Sequence, residues 1–149
     1  MVDVDILSRK LSLLREYLRH LEQAEDITWS KYTNDIRAKA FVERYLHLCV
    51  EEVLDICNHI IADKNWREPQ SFRDLFTILQ EQEVISQNDL QMFQNMASFR
   101  NLLVHRYENI DDSIVFGIFC KRLQDFHRFI ETVSDWLRKS EGRDESGTQ

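Results

Sequence analysis

Residues 35–63 read DIRAKAFVERYLHLCVEEVLDICNHIIAD, a run with neither glycine nor proline. Phe41, Tyr45, Leu48, Val53, Ile56 and Ile60 fall along one side of it at helical spacing, which predicts a single long helix with that face inward. The run ends in Lys64-Asn65-Trp66-Arg67-Glu68-Pro69, which holds the only proline of the 149 residues. Glycine is as scarce. There are three, and Gly142 and Gly147 fall near the end, so Gly117 alone interrupts the first 141 residues. Sheet folds need Gly, Pro and Asn-Gly at their turns. A chain with so few turn residues builds few, long elements, and an all-α single domain follows.

Outward from that run the same rhythm recurs. Leu7, Leu11, Leu14, Leu18 and Leu21 form a stripe for a first helix, and residues 26–34, with Trp29 and Asn34, form a connection. Ser71-Phe72-Arg73-Asp74 has the pattern of a capping box opening a short helix that buries Phe72, Leu75, Phe76 and Leu79. Ser86-Gln87-Asn88-Asp89 repeats the signal before a fourth helix with Met92, Met96, Phe99 and Leu103 inward. Asp111 and Asp112 offer caps for a fifth, in which Phe116, Phe119, Leu123, Phe126, Ile130, Val133 and Leu137 keep the spacing. Four long helices and one short one make a bundle over residues 1–140, with 141–149 as a disordered polar tail.

Composition removes several classes. At 43% apolar and 30% charged residues the chain is too hydrophobic for disorder and too charged for a membrane protein. The start, Met1-Val2-Asp3-Val4-Asp5, is acidic where a signal peptide would be cationic. Cys49, Cys57 and Cys120 are odd in number and form no Cys-x-x-Cys, so they read as reduced, buried thiols of a cytoplasmic protein. A stripe of His47, Glu51, Asp55, His59 and Asp63 has metal-capable side chains four apart. It lacks ligands from a second helix and reads as a solvated or interface face with i,i+4 pairs.

The segment with chemical content is Ser98-Phe99-Arg100-Asn101-Leu102-Leu103-Val104-His105-Arg106-Tyr107. It carries two arginines, a histidine and no carboxylate in a chain of net charge −7. Arg100 falls in register with Phe93, Ala97 and Val104, beside the core stripe, and a partly buried arginine needs a partner or a task. Asn101 and His105 share a helix face; Arg100 and His105 lie about 140° apart on an ideal helix. Imidazole moves protons near neutrality, and guanidinium holds a phosphate and stabilises charge growing on it. With RNA the adjacent 2′-hydroxyl is the nucleophile, so neither metal nor cofactor is required. The residues alone favour a structural reading, in which Arg and His satisfy the carbonyl end of a helix.

Arg100-x4-His105-x-Tyr107 resembles the Arg-x(4–6)-His signature of HEPN-domain ribonucleases, in the form found in the HepT toxins. The likeness extends to Phe41-Val42-Glu43-Arg44, to 55–60, to 71–76 and to the run from Arg100 to Asp111, and covers roughly residues 5–138. The resemblance implies a HEPN-type bundle and a metal-independent endoribonuclease toxin without cofactor, paired with an MntA-type minimal nucleotidyltransferase antitoxin. By position, Arg100 and His105 match the catalytic pair. Asn101 matches a supporting polar residue, and Tyr107 matches the tyrosine that the antitoxin modifies with AMP. It also implies a homodimer. The motif offers one histidine per chain, which leaves either the base or the acid of 2′-hydroxyl cleavage unsupplied, and a two-fold axis would bring two. The alternative is a catalytically silent binding module that partners, or accepts AMP from, a nucleotidyltransferase.

Overall fold

The structure, a computed structural model, describes residues 2–104 and 111–146, with side chains through Gly142. Seven helices lie among the described residues: α1 Val4–Gln23, α2 Trp29–Asn34, α3 Ile36–Asp63, α4 Phe72–Glu81, α5 Gln87–Val104, α6 Asp112–Lys121 and α7 Leu123–Ser146. The all-helical bundle is as expected, with α1, α3, α5 and α7 as its long members.

The starts follow from capping chemistry, because short polar side chains accept the backbone N–H groups that a first turn leaves unpaired. Asp3 accepts from the Ile6 amide, Thr28 from Lys31, Asp35 from Arg37 and Ala38, and Asp111 from Ser113. Ser71 caps α4 by accepting from the Asp74 amide at 3.1 Å, and Ser86 accepts from Asp89 at 3.2 Å. The ends of α3 and α4 use one device. Asn65 and Glu83 take the left-handed conformation, with φ of 56° and 61°. The following amides, Trp66 and Val84, then donate back to the Ile61 and Leu79 carbonyls at 3.1 and 2.8 Å.

Packing departs from the sequence expectation in several places. The five stripe leucines of α1 are all buried, but on α3 the core face is Val42, Leu46, Cys49, Val50, Val53, Leu54, Ile56, Cys57 and Ile60. Phe41, Tyr45 and Leu48 sit half-buried at its edge, where Tyr45 meets Tyr17 and His20 of α1. Residues 26–34 are more than a connection, since α2 places Tyr32 in the core. The expected fifth helix is two, divided at Arg122. Phe116 of α6 packs on Trp29 and Tyr32, whereas Phe129 of α7 meets Phe93 and Phe76. The two helices thus serve different neighbours, and Phe129, outside the expected stripe, is one of the buried core residues of α7.

Three smaller corrections follow. Phe72 is exposed rather than buried, because it is the first residue of α4 and lies at the mouth of the bundle. Met92 is half-buried, and its neighbour Phe93 takes the core position. Cys120 is exposed, while Cys49 and Cys57 are buried and their thiols are pushed well up by that burial. Helix α7 is described as far as Ser146. No helix of the described residues is long and apolar enough to cross a membrane.

Candidate functional site

Helix α5 is held by Phe93, Met96, Ala97, Phe99 and Leu103, all buried. That anchoring fixes the rotation of the helix and so the side on which Arg100 emerges. The Arg100 side chain is only 24% exposed, as its register beside the core stripe predicts. It has found a partner. Its Nε donates to Oε1 of Glu51 on α3 at 2.8 Å. The same carboxylate oxygen lies 3.2 Å from Nε2 of His47, one turn earlier on α3. The guanidinium carbon sits 4.5 Å from the centroid of the Phe72 ring.

Arg100 is therefore restrained on two sides by different forces. Glu51 takes the Nε edge through a charge-assisted hydrogen bond, and Phe72 supports the planar face by a cation–π contact. Exposure of Glu51 limits the pair to roughly 1 kcal/mol of stability. Its larger consequence is orientation, because a guanidinium tied at Nε and stacked on a ring has lost most of its freedom. Among the described residues Nη1 and Nη2 carry no hydrogen bond. Those two donors form the fork that matches a phosphate.

Asn101, the next residue, is exposed, and Val104, the last described residue of α5, is 37% exposed. His105 and Tyr107, the other residues singled out in the sequence, lie outside the described residues. The structure thus brings Arg100 together with Glu51, His47 and Phe72, of which the sequence flagged the first two only as members of a metal-capable stripe. Two of the remaining members of that stripe are engaged elsewhere. Asp55 pairs with Lys10 of α1, and Asp63 accepts from the Asp3 amide at 3.1 Å. The i,i+4 spacing of His47 and Glu51 was a usable signal for a paired carboxylate. Nothing in the sequence said that Arg100 lay opposite.

Comparison with known proteins places these residues in a family context. A family model described as ribonuclease HepT-like matches residues 14–133. The chain is 30% identical over 129 residues to the "mRNA nuclease HepT" of Shewanella oneidensis, covering 87% of this chain and 96% of that protein. It is 25% identical over 132 residues to the "tRNA nuclease HepT" of Aphanizomenon flos-aquae, covering 89% and 90%. Among solved structures it resembles the tri-AMPylated Shewanella oneidensis HEPN toxin in complex with MNT antitoxin. There the TM-score is 0.80 at 28% identity, over 89% of this chain and 99% of that one.

Proposed function

The chain belongs to the HepT-like ribonuclease family, and from that membership we propose that it is a metal-independent endoribonuclease toxin controlled by an MntA-type nucleotidyltransferase antitoxin. The observation that carries this reading is the restraint of Arg100 by Glu51 and Phe72, five residues before His105, within the matched region. An arginine that served only to brace the end of α5 would direct its hydrogen bonds at carbonyls of that helix, and this one is tied to α3 instead.

In the proposed reaction a base removes the proton of a 2′-hydroxyl, and the resulting alkoxide attacks the adjacent phosphorus. The P–O5′ bond breaks, and an acid delivers a proton to the departing 5′-oxygen. The products are a 2′,3′-cyclic phosphate and a 5′-hydroxyl. Arg100 binds the scissile phosphate through Nη1 and Nη2 and stabilises the charge that grows on its oxygens. His105 moves the protons, and Asn101 supports the pair. One histidine is supplied by each chain of a homodimer, so one acts as base and the other as acid. Residues 1–140 act as the one domain of this cytoplasmic enzyme, and the chain needs no cofactor of its own.

Silencing follows from AMP transfer to Tyr107, two residues beyond His105. Each AMP adds a phosphodiester charge and a nucleoside where substrate phosphate must sit. The similar Shewanella oneidensis toxin, solved in complex with an MNT antitoxin, supports that partner class. The test is RNA degradation in EDTA by wild-type, Arg100→Ala and His105→Ala protein, repeated after incubation with the partner and ATP. Activity in the first alone, lost after incubation but retained in Tyr107→Phe, is the expected pattern. Intact RNA with a stable partner complex favours the silent binding module.

A further inference from the structure

A groove of about 410 Å³ opens beside Arg100, between α3, the segment entering α4, and α5. Asn58 comes from α3, Gln70, Phe72 and Arg73 from the entry to α4, and Asn101 from α5, with buried Ala97 beneath. Among the described residues no carboxylate lines it, although the chain has 26 Asp and Glu. Two other surface grooves show the contrast. One carries Glu83, Asp89, Glu131 and Asp135 beside Arg128 and Lys139, and the other sets Glu22 and Glu25 against Arg15 and Arg19. With Arg73 as its one charged lining residue, the groove beside Arg100 suits a polyanion on a chain of net charge −7.

Its wall is also fixed. Arg73 Nη1 donates to Ser98 Oγ of α5 at 3.0 Å, and Gln94 Nε2 donates to Thr77 Oγ1 at 3.0 Å, which ties α4 to α5. Phe72 belongs to both places: its ring meets the Arg100 guanidinium and lines the groove. Asn58 and Asn101 stand on different helices, both exposed, and among the described residues neither amide has a hydrogen-bond partner. Asn58 lies two turns beyond Glu51 on α3, about 10 Å along the axis.

We infer that this groove is the subsite for one unpaired RNA base, the base next to the phosphate on Arg100, and that Asn58 and Asn101 read its edge. The inference rests on the ribonuclease reading for the position of the phosphate. An amide presents a donor and an acceptor side by side, the complement of the adenine edge. Single-stranded RNA exposes both the edges and the flat faces of its bases, and Phe72 offers an aromatic wall for a face. The volume falls within the range of small-ligand pockets, about 300–1,000 Å³. Because Phe72 touches the guanidinium as well, base placement and phosphate placement are mechanically linked.

The test measures cleavage of short RNAs that differ only in the base beside the scissile bond, and binding of their uncleavable 2′-deoxy analogues. Wild type is expected to prefer adenine over uracil roughly tenfold or more in both readouts. Asn58→Leu should bring the ratio close to one, and Asn58→Asp should move the preference toward cytosine, whose amino group donates to a carboxylate. Wild-type protein that binds all four analogues equally overturns the subsite, as does an Asn58→Leu ratio equal to wild type. Base-selective binding without cleavage of any RNA leaves the subsite standing and overturns the ribonuclease reading instead.

Discussion

Arg100 on α5 donates its Nε–H to Glu51 Oε1 on α3 at 2.8 Å, and His47 Nε2 approaches that same oxygen at 3.2 Å. Two helices far apart in sequence therefore set the attitude of one guanidinium. Because the Glu51 side chain is 42% exposed, the contact matters more for orientation than for stability. Glu51→Gln should lower kcat for RNA cleavage roughly tenfold to a hundredfold, the cost of a small misplacement of a transition-state group. Its thermal midpoint should stay within a few degrees of wild type, about 1 kcal/mol or less. Steady-state cleavage kinetics beside a melting curve separate the two effects.

Core packing holds the helix that carries Arg100. Phe93 of α5 is fully buried, with ring centroids 6.1 Å from Phe76 of α4 and 5.6 Å from Phe129 of α7. Phe93→Ala should cost about 3–5 kcal/mol through lost burial and the cavity left behind. A fall in thermal midpoint of roughly 10 °C or more is the expected reading in calorimetry.

The left-handed turn after α4 gives a prediction of opposite sign. Glu83 holds a φ of 61°, a conformation that a side chain resists and glycine does not. Glu83→Gly should stabilise the protein by roughly 0.5–1 kcal/mol after allowing for the added freedom of the unfolded chain. Asn65→Gly should gain less, since asparagine tolerates that region. Chemical denaturation of the two variants side by side checks the order.

Arg67 couples stability to pH. It donates to Asp74 through Nη1 and Nη2, both at 2.8 Å, and to Glu81 through Nε and Nη2 at 3.0 and 2.9 Å. Hydrogen bonds from Arg67 hold both carboxyls below their ordinary range, helped at Asp74 by the Gln70 amide. A depressed carboxyl pKa contributes stability above its unfolded value, and that contribution is lost as pH falls through the folded one. Arg67→Ala should therefore lower the urea midpoint at neutral pH. The gap from wild type should close as the pH is taken below about 4.

Much of this fold was legible before any coordinates. The leucines of α1 and the apolar repeats of α3, α5 and α7 announce four long helices, and Ser71, Ser86 and Asp111 mark starts that the structure keeps. What escaped has physical reasons. Helix α2 spans only Trp29–Asn34, too short for a periodic stripe to register. The division at Arg122 has no glycine or proline to mark it. Left-handed caps at Asn65 and Glu83 hide because the usual glycine is absent. At the candidate site, the register of Arg100 within α5 was readable, and so was the pairing of His47 with Glu51. Their meeting across two helices was not, since periodicity orders residues within a helix and says nothing of which face opposes which. The roles of His105 and Tyr107 rest on the motif alone.

The most direct measurement of the central claim is the chemistry of the new RNA ends. Purified protein is incubated with a single-stranded RNA in EDTA, and the fragments are resolved by mass spectrometry for wild type, Arg100→Ala and His105→Ala. The account predicts a 2′,3′-cyclic phosphate and a 5′-hydroxyl from wild type, with no fragments from either variant while both keep their helical fold. Cleavage that persists in both folded variants, or fragments with a 5′-phosphate, would contradict it.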